Sequence, residues 1–221
     1  HQMSVMLSAA SCLRWFCTLV GADEATLLAE LPSLSPNDSA VNAPIFLPYL
    51  AGERTPHNDP FAPGAFHGLR ADTTRADCTY AVLEGVAFGL ADGLDALRST
   101  GTPVLRLSLV GGGSRSPFWA QLIADALNVE ILVHAGGEAG AALGAARLGW
   151  LANGGDLDRV CTRPAVAARH VAVARPGHRE AARVAGDGFV ELVAPGGGVH
   201  HELAARRAAV GAEALAEHAP A

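Results

Sequence analysis

At 221 residues the chain is long enough for one large domain or two small ones. Half of it is hydrophobic, enough for a proper core, and its formal net charge of -6 excludes a nucleic-acid or anionic-membrane partner held by bulk charge. No apolar run reaches the roughly 18 residues of a transmembrane helix, and the first residues carry neither the basic region nor the cleavage site of a signal peptide.

The opening His1-Gln2-Met3 does not read as a natural start, so the chain is expected to be part of something longer. Residues 5–20 read as a helix with Val5, Leu7, Leu13, Trp15, Phe16 and Leu19 apolar, stopped by Gly21. Asp23 is placed to cap a short helix through Leu31. Residues 32–44 read as a polar, proline-containing loop. Ile45-Phe46-Leu47 starts a buried strand that meets Pro48. The turn-rich stretch LPYLAGERTPHNDP then gathers Glu53, Arg54, His57, Asn58 and Asp59, a solvated loop unless it orders against a ligand or a neighbouring domain. GAFHGL reads as a short extended piece. Thr73 or Thr74 then caps the longest helix, which ends near Ser99 and spans about 38 Å. On it Gly85, Gly89 and Gly93 recur every four residues, the spacing of a close-packing ridge. Glu84 on the same helix is left either to cap a glycine turn or to face water.

The centre of the chain is LRLSLVGGGSRSPFWAQLIADALN, residues 105–128. Leu105, Leu107, Leu109 and Val110 read as a strand running into the interior. Gly111, Gly112 and Gly113 follow, and Ser116 as N-cap with Pro117 at the first position opens a helix whose apolar positions recur at helical spacing. Glycines let a ligand approach the backbone, and a helix N-terminus offers N–H groups to an anion. The unit has the parts to hold a nucleotide's phosphates or sugar. It is not a Walker A loop, which needs a lysine here. A dinucleotide fingerprint fits Gly111 and Gly113, but Ser116 sits where its third glycine belongs, and the next strand, Val129 to Val133, has Glu130 at its start rather than an acid at its end. Beyond it, Gly136, Gly137 and Glu138 lead into a helix of small residues that could lie close to another backbone or a flat ligand. Asn153 ends it, residues 156–162 form a short irregular or helical piece, and a last helix is expected over residues 179–193. Residues 196–221 read as an alanine-rich tail, where His200 and His201 make a poor metal site. Cys12, Cys17, Cys78 and Cys161 form no CxxC pair and read as reduced core thiols of a cytoplasmic protein.

MSVMLSAASCLRWF, FLPYLAGERTPHNDP, GAFHGL with AVLEGVAFGLADGLDAL, LVGGGSRSPFWAQLIADALNVEI and EAGAALGAARLG stand in this order. Together they resemble the C-terminal half of the FGGY family of carbohydrate kinases, in its xylulokinase branch, over residues 3–193. Gly64, Phe66, Gly68, Leu69, Asp77, Ala81, Val82, Leu83 and Glu84 fit that family's second signature, with Cys78 where an aliphatic residue is usual. The resemblance implies an α/β fold: half of an actin-like, ribonuclease H-like ATPase, with an incomplete sheet and an uncovered edge that invites association, for instance as a homodimer. Residues 1–195 are then one ATP-binding domain lacking its first strands.

The same resemblance implies ATP and Mg²⁺ as cofactors, with phosphoryl transfer to a sugar. Gly111, Gly112 and Gly113 match the adenosine-motif glycines, and Ser116 matches a polar position near the nucleotide. The GERTP loop resembles the xylulokinases more than the glycerol kinases, which favours a ketopentose such as D-xylulose, with a ribulokinase or a gluconokinase as the alternative. The family's catalytic aspartate and main sugar contacts belong to an N-terminal kinase domain upstream of His1. No residue here matches that base, so the chain alone is expected to be inactive. The other readings are a non-catalytic nucleotide-binding module and a Rossmann dehydrogenase subunit.

Overall fold

The computed structural model describes residues 1–31, 43–162 and 164–173. The expected last helix, the tail and nearly all of the expected loop at residues 32–44 lie outside that range. The described residues form two compact units, residues 1–103 and 104–172.

The first unit begins with α1, Ala10–Val20, which ends as Gly21 turns into the left-handed region at φ 65°. It starts five residues later than expected, residues 5–9 being non-helical. Next comes α2, Glu24–Glu30, whose cap Asp23 accepts a hydrogen bond from the Thr26 backbone N–H at 2.7 Å. That bond holds the Asp23 carboxyl below its ordinary range. Two short strands, β1 at Ile45–Leu47 and β2 at Ala65–His67, pair antiparallel with Phe46 opposite Phe66. Their rings lie 4.8 Å apart and join Trp15 and Phe16 of α1 in one aromatic cluster.

The spine is α3, Arg75–Arg98. Its capping box is reciprocal: Asp77 N–H donates to Thr74 Oγ1 at 3.2 Å, and Thr74 N–H donates to Asp77 Oδ2 at 2.8 Å. The glycines of α3 are contact points. A Cβ on Gly85 would stand 2.2 Å from the Phe46 carbonyl oxygen. One on Gly89 would meet the Met6 methyl at 2.7 Å, and one on Gly93 would meet Ser4 Oγ at 2.3 Å. The ridge therefore seats β1 and the N-terminal segment against the helix. Among the described residues no helix is long and apolar enough to cross a membrane.

The second unit is a three-stranded sheet ordered β3-β4-β5, with β3 at Arg106–Leu109, β4 at Glu130–His134 and β5 at Val166–His170. Strands β3 and β4 run parallel, joined by α4, Pro117–Leu127. A parallel pair needs such a crossover. Trp119, Ala120, Leu122, Ile123 and Leu127 bury the inner face of α4. Strand β5 adds antiparallel on the far side of β4. Nothing in its sequence announces it, because AVAARH offers small residues and an arginine instead of a β-branched alternation. A fifth helix, α5, spans Gly140–Ala152 with no buried residue, and Asp156 caps the short α6, Leu157–Val160. Strand β3 does not run into an interior. Leu105 and Val110 at its ends are 81% and 58% exposed, and its outer edge has no partner among the described residues.

Candidate functional site

The polar stretch around Glu53 proves to be a fastening. Glu53 is only 3% exposed, and its carboxylate accepts hydrogen bonds from the backbone N–H groups of Arg54 at 2.7 Å and Leu7 at 3.1 Å. Thr55 N–H donates to the Val5 carbonyl at 3.0 Å, and Val5 N–H donates back to Thr55 Oγ1 at 3.2 Å. The loop thus orders against the chain's own N-terminal segment rather than staying solvated. His57 Nε2 lies 2.9 Å from the Tyr49 hydroxyl and 3.9 Å from Asp92, which ties the loop to α3 as well. Glu84 is buried instead of facing water, and accepts a hydrogen bond from the Tyr80 hydroxyl at 3.2 Å. Cys12 and Cys17 are core thiols as expected, but Cys161 is exposed.

The central glycines sit at the surface of the second unit, between β3 and α4. Gly111 has φ +87°, and space for a Cβ is open there. Gly112 to Arg115 then form a turn of 3₁₀-helix that the sequence pattern did not announce. The third glycine has a different reason. A Cβ on Gly113 would press on the Trp119 ring at 3.1 Å, so its bareness makes room for α4's anchor rather than for a ligand. Ser116 is the N-cap: its Oγ accepts from Trp119 N–H at 3.2 Å. The turn's amides are not a free row of donors. Gly111 N–H donates to the Gly137 carbonyl at 2.9 Å, Ser114 N–H to Gly111 at 3.1 Å, and Ser116 N–H to Gly113 at 3.3 Å.

That first bond joins two glycine turns. Gly136, at φ +74°, and Gly140, at φ +49°, frame the second, and a Cβ on Gly140 would lie 3.6 Å from the Gly111 Cα. Beside this junction opens a pocket of about 510 Å³, wholly inside the second unit. Its walls are β3, β4, the second glycine turn and the first half of α5. This volume suits a small organic ligand. Val110 lines it, so the pocket abuts the first turn, but Gly111, Gly112, Gly113 and Ser116 are not among its lining residues. Ser108 Oγ lies 3.0 Å from His134 Nε2, and His134 Nδ1 lies 3.2 Å from the Pro164 carbonyl. The carbonyl can only accept, so Nδ1 carries a proton, and in the neutral ring the Ser108 hydroxyl then donates to Nε2.

Sequence reasoning singled out the first turn and passed over Ser108, His134 and Arg147. The small-residue start of α5 was their signal: Gly140 and Gly144 both line the pocket. The dinucleotide reading gives way here. Ser116 caps a helix where a glycine would be needed, and Glu130 is held by Arg106 at 3.3 Å and Arg169 at 2.9 Å.

Residues 4–152 match the C-terminal domain of the FGGY family of carbohydrate kinases. A xylulose kinase of Escherichia coli K12 is 45% identical over 152 residues, which are 69% of this chain and 31% of that protein. A crystal structure of a xyloylose kinase from Brucella ovis shares 39% identity at a TM-score of 0.66, covering 98% of this chain and 39% of its own. The xylulose kinase structure from Rhodospirillum rubrum matches at 27% identity with the same TM-score, over 90% of this chain and 39% of its own. This chain thus spans about a third of the length of the relatives it matches. The likeness bears out the expected fold, half of an actin-like ATPase. With residues 4–152 matching that domain and a relative 45% identical, the chain belongs to the FGGY family of carbohydrate kinases, of which it carries the C-terminal domain.

Proposed function

We propose that this chain is the ATP-holding part of a cytoplasmic sugar kinase that transfers the γ-phosphoryl group of ATP to a hydroxyl of D-xylulose. The observation that carries the reading is the surface glycine turn opening α4 beside the pocket, in a chain 45% identical to a xylulose kinase. Gly111 and Gly112 leave the backbone bare for close approach, and the Ser116 hydroxyl, though it caps α4, keeps a proton to donate. Gly113 contributes by seating Trp119 beneath them. Gly136, Gly137 and Gly140 line the pocket from the other side.

Phosphoryl transfer needs a carboxylate to take the hydroxyl proton and Mg²⁺ to neutralise charge on the phosphates. No carboxylate lines the pocket. Among the described residues no group of three His, Cys, Asp or Glu side chains is placed to hold a metal ion. In this reading Mg²⁺ rides on the nucleotide's phosphates, as it commonly does. The base and the sugar contacts then come from an N-terminal kinase domain, the natural partner of this surface, and the chain by itself binds nucleotide without turnover.

Isothermal titration of the chain with ATP and with NADH, followed by a coupled assay with D-xylulose and ATP, tests this. The expected result is saturable ATP binding, none for NADH, and no product. Product formed at an ordinary kinase rate would overturn the division of labour, and absence of ATP binding would overturn the site.

A further inference from the structure

Resting on the nucleotide reading above, we propose that Arg147 is the cation that grips the phosphate arm of the nucleotide. The glycine turn offers few donors for this, since the amides of Gly111, Ser114 and Ser116 are spent on carbonyls within the fold. Anion-holding groups must be found nearby, and the pocket supplies them. Its lining holds two arginines, Arg106 and Arg147, and no carboxylate, in a chain whose formal net charge is -6. The two arginines are not equal. Arg106 shares the one carboxylate of Glu130 with Arg169, at 3.3 Å and 2.9 Å, so its charge is answered in part. Arg147 has no hydrogen bond or ion pair among the described residues. It stands two turns into α5 on the side of Gly140, Leu143 and Gly144, which also line the pocket, so it is a lining residue whose donors are unmet. The start of α5 at Gly140 adds the positive end of a 13-residue helix to the same wall. A guanidinium fork meets a phosphate with two parallel bonds, which an ammonium cannot do.

The test compares ADP with adenosine by isothermal titration, so that the phosphates are the only variable. In the parent chain ADP should bind more tightly than adenosine. In Arg147→Gln that advantage should shrink about tenfold, the scale of one charge-assisted hydrogen bond, while adenosine binding is unchanged. Arg147→Lys should restore part of it. Arg169→Gln, outside the pocket, should leave it intact. The circular-dichroism melts of the variants confirm that they fold, and Arg147→Lys carries the test should Arg147→Gln fail to. An undiminished ADP advantage in Arg147→Gln, or in Arg147→Lys if only that variant folds, would overturn the proposal and leave the nucleotide site standing. A parent chain that binds neither ligand would overturn both.

Discussion

The glycine ridge of α3 permits a graded test of what holds the first unit together. Alanine at Gly85, Gly89 or Gly93 gains the same helix propensity, about 1 kcal/mol in favour of folding. The three differ only in what the new methyl meets. At Gly85 it meets the backbone carbonyl of Phe46 at 2.2 Å, against an ordinary contact of 3.4–4 Å. That oxygen belongs to β1, which is pinned to β2 by its register, so relief requires moving a strand by about 1 Å. Overpacking of this kind costs about 3 kcal/mol at the upper end of its usual range, leaving a net loss of about 2 kcal/mol. At Gly89 and Gly93 the methyl meets the end of Met6 and the hydroxyl of Ser4, both of which can rotate away. There the cost roughly cancels the gain, and each variant should lie within about 0.5 kcal/mol of the parent. Urea unfolding followed by far-ultraviolet circular dichroism reads this directly. With slopes of about 2 kcal/mol per molar, Gly85→Ala should shift the midpoint down by about 1 M. A Gly85→Ala midpoint level with the parent, or equal losses at all three positions, would refute the reasoning.

Gly149→Ala, in the exposed last turn of α5 with nothing within 4 Å of the new methyl, should stabilise the second unit by about 0.5 kcal/mol in the same assay. Glu53→Ala strips two backbone N–H groups of their buried acceptor and should cost about 2–4 kcal/mol, read as a lower urea midpoint and faster proteolysis at residues 5–7. Asp23 has its carboxyl held low by the Thr26 bonds, so its contribution is present above its unfolded value and fades as pH falls through the folded one. Melts at pH 5 and pH 2 should show the parent losing an increment of stability that Asp23→Asn lacks throughout. Burial, with Glu53 nearby, pushes the Cys12 thiol up from 9.0 to about 12. The folded state therefore holds a proton that the unfolded chain releases, and stability should decline from pH 9 toward pH 12 by up to about 4 kcal/mol. Cys12→Ala should flatten that decline in alkaline urea titrations.

Much of this fold was legible because its signals are local. A cap is a residue type one step before an apolar rhythm, and Asp23, Thr74 and Ser116 all cap where they were expected to. The stop at Gly21 and the glycine ridge of α3 follow the same logic, since both express the absence of a Cβ at a fixed place. What escaped depends on partners distant in sequence. Strand β5 exists because β4 offers it an edge, and its own residues say nothing of it. Glu53 looked like one acid among several in a polar loop. Its role comes from Leu7, 46 residues away, which no spacing rule reaches. Val110 ended an apolar run that promised burial, yet it is half exposed, because hydrophobicity marks a strand without saying which faces of it find cover.

The candidate site divides the same way. Three consecutive glycines suggest one purpose, but here they have three. Gly111 turns the chain at positive φ, Gly112 is open to solvent, and Gly113 yields to Trp119. A motif read as a run of identical residues therefore overstates the backbone offered to a ligand. Arg147, the group proposed to answer an anion's charge, lies on a helix that the sequence marked only by its small residues. A shallow wall of glycines can bring a nucleotide close, but closeness without charge gives no preference for phosphates over plain adenosine. If the second unit discriminates between them, it does so with an arginine set against a carboxylate-free wall, and the turn supplies the room rather than the grip.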